Sequence, residues 1–160
     1  MTVKPDSKKP TPEAQLRACV AKLDRKNQKL FRAVRAAVRK RFPTANELAY
    51  DYSHALVIGY SPADRGIDSI VAIRASATGV SLYFSQGPQL PDPKQLLRGS
   101  GKQTRFIQVE AVSQLAHPDV EALIAATIDQ ARVPLPSEGK GSLIIKSDGA
   151  KKRPRRKPSK

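Results

Sequence analysis

Apolar positions recur every three or four residues from Leu30 onward: Leu30, Phe31, Val34, Ala37 and Val38 share one side of a helical wheel. Arg25, Lys29, Arg32, Arg35, Arg39 and Lys40 take the opposite side. The pattern predicts a helix that starts after Asp24, whose carboxylate suits an N-cap, and ends near Phe42 ahead of Pro43. A shorter helix is expected over 13–22, with Leu16, Val20 and Leu23 turned inward. Past Pro43 the period falls to two. Strands are expected over 47–52, 55–60, 69–76, 80–85 and 105–111. The alternation is cleanest where Val80, Leu82 and Phe84 face one way and Ser81, Tyr83 and Ser85 the other. Ala77, Thr78 and Gly79 join two of these runs as a hairpin, and one helical turn is expected over 94–97, closed by Gly99. In the 105–111 run, Ile107, Val109 and Ala111 share a face.

The helical period returns after His117. Pro118 suits the first turn, Asp119 and Glu121 complement the positive end of the helix dipole, and Val120, Leu123, Ile124, Thr127, Ile128 and Ala131 form the inward stripe. Pro134 and Pro136 stop it, and 142–146 reads as one more edge strand. Consecutive strands with short joins predict an α+β fold: an antiparallel sheet of about five strands packed by N-terminal helices and a C-terminal helix, with a disordered basic tail. Residues 1–12 read as a flexible lead-in, 13–147 as the domain and 148–160 as the tail.

Composition removes several function classes. A chain of 160 residues, 39% apolar and 27% charged, has the size and mix of one globular domain. No apolar run reaches the roughly 18 residues of a membrane span, so no membrane partner is expected. The opening residues are polar and rich in Lys and Pro, unlike a secretory leader. One cysteine, Cys19, cannot form an internal disulfide, and the default is a reducing, cytoplasmic setting. Cys19 itself reads as a packed small hydrophobe. With two histidines besides, no zinc site of the usual Cys/His spacing is expected, and no other metal or cofactor.

Charge changes the picture most. The formal net charge is +15, and it sits in two places. Eight basic residues and no acid lie between Arg25 and Arg41; seven more, again with no acid, lie between Lys151 and Lys160. The rest of the chain is neutral. Either acids from neighbouring elements balance the helix, or its outer face meets an external anion. The tail carries Lys151, Lys152, Arg153, Arg155, Arg156 and Lys157 without an apolar anchor, and Pro154 and Pro158 oppose a helix there. Such segments bind phosphate backbones by counterion release without reading bases.

Other features carry less chemistry. Gly99, Ser100, Gly101 and Lys102 invite a phosphate-loop reading, but Leu96 stands where the first glycine is needed, Gln103 follows the lysine, and a strand comes next. What remains is a turn that feeds a strand, or a small anion site made by Lys102, Arg105 and the glycine amides. Glu47, Tyr50, Asp51, Tyr52 and His54 form the densest polar run, with no nucleophile to pair with a base. No catalytic residues are assigned. His117 reads as a helix-start residue. The tyrosines at 50, 52, 60 and 83 are candidates for stacking bases, without an RNP motif around them.

A resemblance rests on three segments. Residues 82–93 place an aromatic strand before the turn of Leu90, Pro91, Asp92 and Pro93; 96–102 form a Leu-Leu-Arg-Gly-Ser-Gly-Lys loop; Arg105, Phe106 and Ile107 follow. Together with the opening helices, Phe42, Pro43 and Glu47, this resembles the YdhG-like family over 15–131. The resemblance implies an α+β sandwich and a mostly bacterial, cytosolic protein. Some relatives are described as frataxin-like iron chaperones that use exposed carboxylates, whereas the long helix here is wholly basic. The leading expectation is therefore a non-enzymatic module that binds a polyanion, nucleic acid, through Arg25, Lys29, Arg32, Arg35, Arg39 and the tail. The alternative is a frataxin-like carrier of a small ligand or metal, with a pocket built from Glu47, Tyr50, Tyr83, Arg98, Lys102 and Arg105.

Overall fold

Helix α1 spans Pro12–Val20 and α2 spans Arg25–Arg41; a break at Ala21 to Asp24 separates them in this computed structural model, which describes residues 10–147. The residues ahead of 10 and the basic tail at 148–160 lie outside the described residues. Thr11 caps α1 by accepting from the Ala14 amide, and Asp24 caps α2 by accepting from the Asn27 amide at 2.8 Å. Asn27 is itself buried and donates to Asp24 and to the Ser76 carbonyl, which fixes the start of α2 on the sheet. The 13–22 helix is two residues shorter at its end than expected. Phe31, Val34 and Val38 are buried, with Leu30 and Ala37 packed beside them.

The strands are β1 Asn46–Tyr52, β2 Ala55–Ser61, β3 Val71–Ser76, β4 Gly79–Ser85, β5 Thr104–Val109 and β6 Leu143–Ser147. Helix α3 spans Pro118–Asp129, capped by His117, whose Nδ1 accepts from the Asp119 amide. The sheet runs β5-β4-β3-β2-β1-β6. Strands β1 to β5 pair antiparallel in chain order, and Val71–Ser76 meets Gly79–Ser85 in a tight hairpin with Gly79 at φ +126°.

Direct cross-strand partners share a face. Ala49, Ile58, Ile73, Leu82 and Ile107 form one row, and Leu56, Ala75, Val80 and Val109 form most of the next. This face carries the core beneath α2 and α3. The opposite face carries Leu48, Gly59, Ala72, Tyr83 and Phe106 in one row and Tyr50, Val57, Arg74, Ser81 and Gln108 in the next.

Three expectations are corrected. The sheet has six strands rather than about five, and β6 pairs parallel with β1, so the sheet is mostly and not wholly antiparallel. The reason is the route of the chain, which leaves β5 at one edge, runs through α3 and enters β6 at the other edge, beside β1. The expected helical turn over 94–97 does not form. Asp92 takes up the Leu96 and Leu97 amides instead, with Gln95 at φ +56°. Strand β5 ends at Val109, and Ala111 is exposed ahead of a short 3₁₀ helix at Val112–Ala116.

Strand β6 is held where it begins. The Gly141 amide donates to the Pro43 carbonyl at 3.1 Å, the Ser142 amide donates to Asn46 Oδ1 at 2.9 Å, and the Glu47 amide donates to the Ser142 carbonyl at 2.8 Å. A Cβ on Gly141 would overlap the Ala45 carbonyl, a backbone group that cannot turn aside. Gly141→Ala is expected to cost about 1–3 kcal/mol and to free β6, read as faster amide exchange in Leu143 to Lys146. Unchanged exchange there would show that the backbone absorbs the methyl group.

Candidate functional site

Three features of the structure bear on function: a buried ion cluster under α2, the outer face of α2, and a groove floored by the second face of the sheet. In the first, the alternation of β1 sends Glu47 toward α2, opposite Tyr60 on β2. Arg35 binds it with two parallel bonds, Nε to Oε2 and Nη2 to Oε1, both 2.8 Å. Tyr60 donates its hydroxyl to Glu47 Oε2 at 2.6 Å. Arg35 also reaches Glu13 on α1 at 3.0 Å, and Arg39 Nε lies 3.5 Å from Glu47. The cluster ties α1, α2, β1 and β2 together.

The charges here are mutually stabilised. The Arg35 guanidinium is held protonated well above its usual range, mainly by its hydrogen bond to Glu47. The hydrogen bond from Arg35 keeps the Glu13 carboxyl below its usual value. Burial, then the neighbouring Glu47 charge, pushes the Tyr60 hydroxyl well above the ordinary value of 10.0. The native state therefore holds the Tyr60 proton more tightly than the unfolded chain does. That stability is complete below about pH 10 and is lost as pH rises beyond it. In an alkaline titration, one of the four tyrosines is expected to ionise only together with loss of helical circular dichroism. Full phenolate absorbance from a chain that is still folded would contradict this.

The outer face of α2 is partly balanced by neighbours. Of its eight cations, Arg35 and Arg39 meet Glu47, and Arg41 meets Glu121 on α3. Arg25, Lys26, Lys29, Arg32 and Lys40 are exposed and have no ion pair among the described residues. Among the described residues their side chains make one neutral hydrogen bond, from Arg32 to Gln28 at 3.2 Å. Arg25, Lys29, Arg32 and Lys40 follow one line around Ala36. At about 1.5 Å per residue the line is about 22 Å long. Arg35 is not part of it: its side chain turns inward to Glu47.

The sheet face that carries Tyr50 and Tyr83 floors a groove of about 1040 Å³, walled by the 66–70 loop and by Thr127 and the residues that follow α3. Tyr50 and Tyr52 stack at 6.0 Å on its β1 side, and Tyr83 lies on β4, stacked on Phe106 at 4.9 Å. The loop after Pro62, with a short 3₁₀ helix at Gly66–Asp68, packs against Tyr50 on this face. Gly66 sits so close to the Tyr50 hydroxyl that a side chain there would displace the ring. Burial and the neighbouring Tyr52 raise the Tyr50 hydroxyl above its ordinary value. A smaller apolar cavity of about 220 Å³ lies between α2 and α3, beside the Arg41–Glu121 pair.

Of the six residues expected to form one pocket, the structure brings Tyr50, Tyr83 and Lys102 to the groove. Glu47 is on the other side of the sheet, because positions 47 and 50 differ by an odd number on one strand. Arg98 pairs with Phe106 at the β5 edge, and Arg105 donates to the Gly101 carbonyl inside its own loop. Arg132, Val133 and Ile67 also line the groove and carry no local pattern that marks them. Arg132 and Val133 follow the end of α3, and Ile67 sits in the short 3₁₀ helix at Gly66–Asp68.

Among the described residues, no three His, Cys, Asp or Glu side chains are grouped to hold a metal ion, and no helix is long and apolar enough to cross a membrane. The six named tail cations lie outside the described residues. No family model, curated protein or solved structure matches the chain.

Proposed function

We propose that the chain is a non-enzymatic, YdhG-like binding module that holds nucleic acid by its phosphates, with little regard for sequence. In this reading duplex phosphates lie along the outer face of α2 and the basic tail adds further contacts. The setting is the cytoplasm, where nucleic acid is the abundant polyanion and Cys19 stays a thiol. One observation supports it above the rest: five exposed cations on one helix have no ion pair among the described residues. Like charges three and four positions apart weaken an isolated helix by a few tenths of a kcal/mol per pair. An external polyanion turns that repulsion into attraction.

The test is the fluorescence anisotropy of a labelled DNA duplex against salt, for the full chain and for one ending at Ser147. The shortened chain is expected to bind with a log–log slope of about −4.5, from five helix cations at about −0.9 each. The full chain is expected to be steeper by up to about 6. A shortened chain that fails to bind at low salt removes α2 from the interface.

A further inference from the structure

The groove is built differently from the α2 stripe: its floor is the sheet face that carries Tyr50, Val57, Ala72 and Tyr83, opposite the face that carries Glu47. We propose that it binds a nucleobase together with its phosphate. The base stacks on the tyrosine rings, side-chain amides meet its edge, and Lys102 and Arg132 hold the phosphate.

Three observations lead there. Exposed large apolar side chains are few among the described residues, and three of the four, Tyr52, Ile67 and Val133, line this groove. Tyr52 is 48% exposed and Ile67 is 68% exposed, which leaves apolar surface open to water at one place. The charge is one-sided. Lys102 and Arg132 are exposed without an ion pair among the described residues, and the single acid in the lining, Asp68, already faces Arg65 at 3.6 Å. An anion is therefore favoured over a cation or a neutral ligand. The polar lining also suits a base edge. The side chains of Gln86, Gln89 and Gln103 have no hydrogen-bond partner among the described residues, and each amide offers both donor and acceptor.

Size agrees with this chemistry. The groove stands at the upper end of ligand pockets, which run from about 300 to 1,000 Å³. A nucleotide fits with room for a second base. Between the two tyrosine platforms the floor is Val57 and Ala72, small enough for a flat ring to approach the sheet. Tyr50 on β1 and Tyr83 on β4 are three strand spacings apart across the sheet and two residues apart along it, about 16 Å in all. That distance exceeds one base and matches a base with its sugar and phosphate.

A free nucleotide and a base in a single strand present the same unit. The test is calorimetric titration of the full chain with adenosine monophosphate and with tetradeoxyadenylate. Binding of either is expected to weaken at least tenfold in Tyr83→Ala and in Lys102→Gln. Lys102 is exposed, so its variant keeps the fold, and thermal melting verifies this for both. Arg32→Gln on α2 is expected to leave monophosphate binding unchanged, which keeps this site distinct from the duplex site. Tetradeoxyadenylate binding a hundredfold tighter than the monophosphate, with the same dependence on Tyr83, identifies a single strand as the occupant. Comparable affinities identify the free nucleotide. No heat from either at millimolar concentration, or binding indifferent to both groove variants, overturns the proposal.

Discussion

Replacing Glu47 by alanine is expected to destabilise the protein by about 3–5 kcal/mol. Glu47 is 4% exposed and holds two groups that have little else. Arg35 loses both of its 2.8 Å bonds and keeps only Glu13, which is half exposed. Tyr60, wholly buried, loses the acceptor of its hydroxyl. A buried polar group without a partner costs about 1–3 kcal/mol by itself, and a largely buried guanidinium left with Glu13 alone adds to it. For a chain of this length each kcal/mol lowers the melting temperature by about 2–4 °C, so the loss is visible in any thermal scan. Removing both partners is gentler than removing one. Arg35→Leu combined with Glu47→Leu takes the two charges out together; the buried tyrosine hydroxyl is left unmet, while Glu13 and Arg39, both half exposed, turn to water. Urea unfolding of the two single variants and the double is expected to give a double-variant loss well short of the sum. A strictly additive result would show that Arg35 and Glu47 do not act as a pair.

The long helix was legible in the sequence because three independent signals agree on it. The apolar stripe has the helical period, Asp24 offers a cap, and Pro43 forbids continuation. The central hairpin was legible for a similar reason: clean alternation on both sides of a glycine that takes positive φ. Strand β6 was legible as an edge strand over 142–146, but its partner and direction were not. Leu143, Ile144 and Ile145 are three apolar residues in a row and only half-buried, so no face can be chosen. Their parallel pairing depends on where α3 delivers the chain, which no local pattern records. The site was legible by parts. Tyr50, Tyr83 and Lys102 do meet, because alternation and the hairpin place the two tyrosines on one face. Glu47 was grouped with them on closeness in sequence, although its odd separation from Tyr50 already assigns it to the opposite face. Arg35 was counted with the outward cations because it borders that side of the helical wheel. Its inward turn is decided by Glu47, twelve residues on.

The contrast between Arg32 and Arg35 separates binding from folding on a single helix. A variant with Arg25, Lys29, Arg32 and Lys40 all changed to glutamine removes the outward line and leaves the Arg35–Glu47–Tyr60 cluster intact. Four lost phosphate contacts are expected to flatten the log–log salt slope for duplex DNA by about 3.6. Over a fourfold rise in salt, the unchanged chain then loses about a hundredfold more affinity than the variant does. Stability is expected to move the other way. Glutamine is a good helix former, and relief of like-charge pairs at 25 and 29 and at 29 and 32 contributes a few tenths of a kcal/mol each. Arg35→Gln alone is expected to do the reverse: lower stability, with the salt slope unchanged. If instead the fourfold variant binds duplex as before while Arg35→Gln releases it, the outward cations are solvated surface and the nucleic-acid reading of α2 fails. A polyanion that meets the helix from outside responds only to side chains that point outward, and the Glu47 cluster has already withdrawn Arg35 from that set.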